Sequence, residues 1–510
     1  MFDFPPPPER YELRPPKQRF VAVRRALFHA VAAWIVLLLV LNSQRADPVT
    51  DPIEPRTLLY GLGAALAWGL IVFLSHRPVT ELPPIEITGD GLRGPFTAGG
   101  RRPFVPFRQL RIAHAWRHRG ESRLVLGVEG GPAVGFPADA FTDPKDPQRI
   151  ADSVRRRIAA LPHGTEQLTA MDRRAEVAER VQTGKLPATW GVAAVLVLMY
   201  GLQVATGSLF DPLNDLALGA NSSRLVLDGQ WHRLFTANLL HAHPLHLGLN
   251  LWGLVLLGRL LEPLLGSWRW LTYFLLTCLA GATASALITR PWASLGASTG
   301  IAGLLGVYTV LIWSRRDDFP TAPSKIFWIA LPAAFLIPAI VFNVDHAGHA
   351  GGLALGVALA ALELHGQDLL ELRHRRRLLM RILGASLAVL FVVFQVQAVA
   401  YAVSTPAQDR LSIYHGLLED PATPAVIVNF SSWYTAVAPA ASRSQLETAR
   451  SAMERAVKDL EVAELEDTLA TLDYRLGRFD DAIERELPLT RSSSPRAPFY
   501  RSQLTRFELA

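Results

Sequence analysis

Nine apolar segments, spread between residues 28 and 403, constrain this chain more than any other feature. A helix rises about 1.5 Å per residue and the hydrocarbon core of a bilayer is about 30 Å thick, so about 20 mostly apolar residues make one crossing. The segments 28–41, 58–74, 186–204, 234–256, 270–288, 295–313, 326–342, 346–362 and 382–403 come close to that length. A backbone in hydrocarbon has no water to bond, so segments of this kind are helices. Half of the 510 residues are hydrophobic and only 19% are charged, which excludes disorder and an ordinary water-soluble enzyme. The single cysteine, Cys278, lies in an apolar run, so neither an intramolecular disulfide nor a cysteine-built zinc or iron–sulfur centre forms. Lys and Arg exceed Asp and Glu by 51 to 45. Without an aromatic-studded basic patch, that excess belongs to cytoplasmic loops and not to a nucleic-acid surface.

The first segment has a long basic leader, no small-residue cleavage site and a second apolar run soon after, the pattern of a retained anchor. Arg24 and Arg25 precede it, Arg315 and Arg316 follow the sixth segment, and Arg373 to Arg377 precede the last. The positive-inside rule puts these flanks in the cytoplasm, so nine crossings leave the N-terminus inside and the C-terminus outside. The expected fold class is an all-α polytopic membrane protein with a small α+β insert and a helical C-terminal region. Its expected parts are a tail with two membrane helices (1–78), a soluble cytoplasmic insert (79–180), a six-helix core (186–365), a basic loop with a seventh associated helix (366–404), and an extracytoplasmic helical region (405–510). In the insert, short apolar runs are broken by Gly89-Asp-Gly and Gly130-Gly-Pro, which are hairpin signals. Ile150, Val154 and Ile158 then mark one face of a helix. A sheet closed by a helix behind two membrane helices resembles the bacterial pleckstrin-homology-like domains. In the C-terminal region, residues 474–483 resemble a tetratricopeptide turn, with Gly477 at the bend. That region is expected to be a docking surface for a protein partner.

Three clusters inside the membrane segments combine polar residues with glycine: Trp231-His-Arg-Leu-Phe-Thr leading to His241-Ala-His-Pro-Leu-His-Leu-Gly-Leu-Asn250, Gly296-Ala-Ser-Thr-Gly-Ile-Ala-Gly303, and Asp345-His-Ala-Gly-His-Ala-Gly-Gly352. Ionisable groups at membrane depth are costly, so by default they mark a functional site. Pro244 suits a first helical turn, which puts His246 in that turn and Asn250 one turn deeper on the same face. Glycine stripes at Gly296, Gly300 and Gly303 and at Gly348, Gly352 and Gly356 allow two helices to approach closely. That contact brings Ser298 and His349 within reach. Hydroxyl plus imidazole is the minimal activated nucleophile, and a neutral pair buries no permanent charge. His246, Asn250 and the Ser298 N–H are placed to donate to an oxyanion. Asp345 is better placed to cap the helix that follows it than to join a triad.

From about residue 186 to 362 the chain resembles the rhomboid intramembrane serine proteases. The likeness rests on Trp231 and Arg233, on the spacing of His241, His246 and Asn250, on Leu257-Gly258 followed by Glu262, on Gly296-Ala-Ser298, and on His349-Ala-Gly-Gly. It implies a rhomboid-like helical bundle, Ser298 as nucleophile, His349 as general base, and His246 and Asn250 as oxyanion support. His241, Arg233 and Glu262 are then structural, and no cofactor or metal is implied. The implied partners are transmembrane protein substrates, cut near the outer end of their helix, and the lipid bilayer itself, in a bacterial inner membrane. One position departs from the family pattern: Thr299 stands where glycine usually follows the serine. A β-branched residue there is expected to stiffen the backbone and crowd the oxyanion pocket. Two alternatives stand beside the protease reading. One is a rhomboid-like relative that binds membrane clients without cutting them. The other is a metal transporter or membrane metallohydrolase built on His241, His243, His246, His346 and His349.

Overall fold

The computed structural model describes residues 8–14, 66–67, 70, 83–95, 104–118, 121–129, 134–208, 211–319, 345–364, 367–421, 423–459, 462–491 and 496–509. The apolar segments 28–41 and 326–342, and nearly all of 58–74, lie outside the described residues. The chain forms two compact units. One comprises Met1–Lys185, Thr309–Val344 and Leu364–Leu372, the other Leu186–Tyr308, Asp345–Glu363 and Arg373–Ala510.

In the first unit, β1 (Glu9–Tyr11), β2 (Ile85–Ile87), β3 (Gly91–Arg93) and β4 (Phe104–Pro106) form an antiparallel sheet in that order. A second sheet joins β5 (Leu110–His118), β6 (Glu121–Val128) and β7 (Val134–Pro137). The Gly-Asp-Gly turn links β2 to β3 as the sequence predicts. Period-two alternation turns Ile85 and Ile87 inward, where they pack with Leu92, Phe107 and Leu126 against Ile150, Val154 and Ile158 of α1 (Asp146–Ala159). Two features differ from the sequence reading. β1 comes from the N-terminal tail, so a boundary at residue 79 divides one sheet; two apolar segments intervene, and such pairing leaves no local signal. A second helix, α2 (Gly164–Thr183), follows α1, its buried stripe made of small residues such as Ala175 and Ala178 that give little hydrophobic contrast. Arg173 of α2 bridges Asp318 at 2.8 Å and Asp368 at 2.9 Å.

The second unit is helical: α3 (Pro187–Ala205), α4 (Pro244–Leu265), α5 (Ser267–Ala284), α6 (Ser298–Arg315) as far as Tyr308, α7 (His346–Glu363) and α8 (Arg377–Ser404). Among the described residues four helical stretches are long and apolar enough to cross a membrane: Gly164–Ala205, Pro244–Leu265, Ser267–Thr289 and Arg377–Ser404. The segment expected at 234–256 is displaced. Short helical turns occupy Arg233–Thr236 and Ala237–Leu239, and the long helix begins at Pro244. His243 caps it, its ring nitrogen accepting the His246 N–H at 3.0 Å.

Glu262, buried near the end of α4, accepts from the Ala188 and Thr189 amides, the Thr189 hydroxyl and the Ser267 hydroxyl. It thereby caps α3 and anchors the start of α5. Buried Arg233 donates to the carbonyls of Leu216 and Ala220, closing the loop before α4.

After α8 come α9 (Leu411–Glu419), α10 (Ala425–Val437), α11 (Arg443–Asp459), α12 (Ala463–Arg475), α13 (Phe479–Thr490) and α14 (Ala497–Glu508). Gly477, with φ of +78°, makes the bend between α12 and α13, a conformation that favours glycine. These helices are fastened to the loop between α3 and α4: Arg410 donates to Asn214 at 3.0 Å, Tyr434 to Asp211 at 2.8 Å, and Arg224 pairs with Glu419 at 2.7 Å.

Candidate active site

Helices α4, α6 and α7 all start at the same end of the bundle. Ser298 is the first residue of α6, so its N–H has no acceptor within the helix. His349 lies in the first turn of α7 and His246 in the first turn of α4. Three helix N-termini therefore converge where an anion would develop, and their dipoles favour negative charge there.

Glycine makes the convergence possible. A Cβ on Gly352 would stand 2.1 Å from the Thr299 carbonyl oxygen, and one on Gly356 2.0 Å from that of Gly303. α6 and α7 thus touch backbone to backbone, and His349 Nε2 lies 2.7 Å from Ser298 Oγ. Both residues are half-buried, so an incoming group can reach them. For Nε2 to accept the serine proton, neutral His349 carries its own proton on Nδ1.

Gly296, at φ +128°, leaves room for the His246 ring: a Cβ there would lie 2.7 Å from its Cε1. Asn250 donates to the His246 carbonyl at 2.9 Å, which leaves its second amide hydrogen for another acceptor. The Asp345 carboxylate accepts from the Gly348 N–H, Thr289 and Ser294. It caps α7 and ties down the loop before Ser298. His346 is exposed. His241 is buried and stacked edge-on against His246 at 5.1 Å. Among the described residues no three His, Cys, Asp or Glu side chains stand together as a metal-binding group.

Thr299 does not face the pocket. Its hydroxyl donates to Asn238 Oδ1 at 2.9 Å, and its side chain fills the space that Gly281 leaves open on α5, where a Cβ would lie 2.4 Å from Thr299 Cβ. The crowding expected from the sequence is absorbed in the helix interface. Asn238 and Gly281 thus support the site, although the sequence reading passed over them: their shared partner is 61 and 18 residues away. The loop ahead of Ser298 is held likewise at a distance, by the Asn221–Ser294 bridge and by the Gly296 N–H on Ala237.

The bundle and its clustered polar residues define a helical membrane protein with a serine–imidazole pair at one end of parallel helices. Comparison with known proteins places that class more narrowly. The family model for the Rhomboid domain matches residues 228–366. The rhomboid protease GluP of Bacillus subtilis is 30% identical over 234 residues, 46% of this chain and 45% of its own length. YdcA, from the same bacterium, is 32% identical over 171 residues, 33% of this chain and 83% of the relative. The rhomboid protease AarA of Providencia stuartii is 24% identical over 207 residues, covering 36% of this chain and 74% of AarA. The chain belongs to the rhomboid family and is an integral membrane protein; its match spans less than half the length of GluP.

Proposed function

We propose that the protein is an intramembrane serine endopeptidase that cuts transmembrane proteins near the outer end of their membrane helix. The observation that carries this reading is the 2.7 Å contact between His349 Nε2 and Ser298 Oγ at the joint N-termini of three helices. In this reading Ser298 Oγ attacks the scissile carbonyl while His349 takes its proton. The oxyanion accepts from the Ser298 N–H, the free Asn250 amide hydrogen and His246. His349 returns the proton to the leaving amine, the acyl-enzyme forms, and water repeats the sequence to release it. Asp345 takes no part in the proton relay, because its oxygens are engaged by Gly348, Thr289 and Ser294. Arg233, Glu262 and His241 act through the scaffold.

A client helix must unwind to offer an extended carbonyl, so residues of low helix propensity near the cut are expected. The proposed setting is a bacterial inner membrane, with the N-terminus and the insert in the cytoplasm and the C-terminal helices outside. The bonds from Arg410, Tyr434 and Glu419 to the loop ahead of α4 support the last point, since that loop lies at the same end as Ser298. We read the C-terminal helices as a tetratricopeptide-like surface that positions protein partners.

The deciding experiment labels the detergent-solubilised protein with a fluorophosphonate or isocoumarin. Labelling of the unaltered protein, absent in Ser298→Ala, is expected. A protein that neither labels nor cuts any membrane substrate would be the binding-only relative.

A further inference from the structure

At the opposite end of the helical unit, about 30 Å along α4 from His246, lies a cavity of about 380 Å³ that the proposed chemistry does not use. That volume falls in the range of small-molecule sites, about 300–1,000 Å³. Its walls come from the start of α3, the turn between α4 and α5, and the start of α8, with Arg373, Arg375 and Arg377 around it and Trp268, Leu271 and Met380 as its apolar part. Gly266, at φ +79°, keeps the turn tight: a Cβ there would lie 3.0 Å from Arg373 Cγ.

The charge around this cavity is unbalanced. Glu262, the carboxylate beneath it, is saturated by two amides and two hydroxyls. Glu363 is occupied by Arg269, Arg376 and Tyr273. Arg373, Arg375 and Arg377 form no ion pair among the described residues. Guanidinium forks match phosphate oxygens in geometry and charge. The cavity also adjoins lipid-facing surface. Trp268 is 37% exposed and carries Arg381 over its ring, and α8 continues from Arg377 with exposed Leu378, Leu379 and Ile382. A ligand suited to this place has an anionic phosphate head and apolar tails.

We propose that the cavity is a binding site for the phosphodiester of an anionic glycerophospholipid, held by Arg373, Arg375 and Arg377 while its acyl chains lie along the first turns of α8. Basic pockets between membrane helices recognise such headgroups through the same contacts. The site is independent of the Ser298 chemistry, and its test does not use catalysis.

The full-length protein in a mild detergent would be incubated with equimolar phosphatidylglycerol and phosphatidylcholine of identical chains, and the retained lipid measured by native mass spectrometry. Phosphatidylglycerol should be retained at least about ten-fold over phosphatidylcholine. Arg373→Gln/Arg375→Gln/Arg377→Gln should bring the ratio near one, while Arg443→Gln/Arg478→Gln on the C-terminal helices should leave it unchanged. Should the triple variant fail to fold, the unaltered protein still decides: raising NaCl from 50 to 500 mM should shrink the preference several-fold. Equal retention of the two lipids, a preference that survives the triple variant, or one indifferent to salt would each overturn the proposal. Displacement of short-chain phosphatidylglycerol by an equal concentration of inorganic phosphate would overturn it in favour of a free-phosphate site.

Discussion

The glycine contact between α6 and α7 should set the distance between nucleophile and base, and Gly352→Ala tests this directly. The added methyl would stand 2.1 Å from the Thr299 carbonyl oxygen, against about 3.4 Å for an ordinary contact. The obstacle is backbone on α6, which no rotamer change moves aside, so the helices must part by about 1.3 Å near the dyad. His349 sits one turn before Gly352 on α7, and its bond to Ser298 would stretch from 2.7 Å to about 4 Å, beyond proton transfer. Overpacking of this kind costs about 1–3 kcal/mol of stability. A misplacement of about 1 Å costs about 100-fold in rate. The assay is the rate of fluorophosphonate labelling of monodisperse protein, with thermal unfolding measured on the same sample. Gly201→Ala on α3, where no described residue lies within 4 Å of the added carbon, serves as the control and should label normally. A folded Gly352→Ala variant that labels at the unaltered rate would show that this contact does not position the base.

Ser298→Ala and His349→Ala should each abolish hydrolysis of a transmembrane reference substrate, and the double variant should be no worse, because both serve one proton transfer. Asn250→Ala should lower turnover about 100- to 1,000-fold or less, and chelators should have no effect; activity lost to a chelator but kept in Ser298→Ala would return the histidines to a metal reading. Thr299→Gly should leave labelling within a few-fold and lower stability by about 1 kcal/mol through loss of the Asn238 bond, whereas a gain above about ten-fold would mean that the threonine does crowd the oxyanion. In the C-terminal helices, burial raises the Asp467 and Glu486 carboxyls above their ordinary values, and mutual repulsion raises Glu486 further. The folded state therefore binds more protons than the unfolded one, so this contribution is complete below the ordinary carboxylate range and is lost as pH rises through the raised values. Limited proteolysis of the full chain should cut α12 and α13 faster at pH 8.5 than at pH 5.5, and Glu486→Gln should flatten that difference. Reporter fusions after Ala510 should be active outside the cytoplasm and insertions at Gly130 inside it; a cytoplasmic reporter at Ala510 would overturn the nine-crossing topology.

What the sequence made legible follows the reach of each signal. Ile150, Val154 and Ile158 announced a helical face because the period is local, and Gly477 announced its bend for the same reason. The proximity of Ser298 and His349 could be anticipated because two glycine stripes have one common use, a close helix crossing. The strand from Glu9 to Tyr11, the Asn238–Thr299 bond and the Asn221–Ser294 bridge are contacts between distant residues of unremarkable type, and nothing in their neighbourhoods marks them. Thr299 shows the limit of reading one position alone. A β-branched residue beside the nucleophile looks obstructive until Gly281 is seen to receive it.

The same polar and glycine residues that build the site also explain why α6 and α7 are less apolar than the four membrane-crossing stretches among the described residues. Each has 18 residues, long enough to cross, yet neither is apolar enough to stand with those four stretches. A helix rich in leucine would insert more strongly, yet its side chains would hold α6 and α7 apart at ordinary interaxial distances, too far for Ser298 to meet His349. Glycine removes the side chains and admits the close approach, at the cost of apolar surface. Charge is kept out by the same arrangement. In the proposed mechanism the Ser298–His349 pair is neutral at rest, and negative charge would appear only during attack, beside three helix N-termini and a helix-start N–H that require no reorganisation to receive it. The Asp345 carboxylate is spent on α7 and on the loop that carries Ser298. Its charge therefore holds the frame in place and, in the proposed mechanism, stays out of the proton path, which a carboxylate left free beside the imidazole would not do.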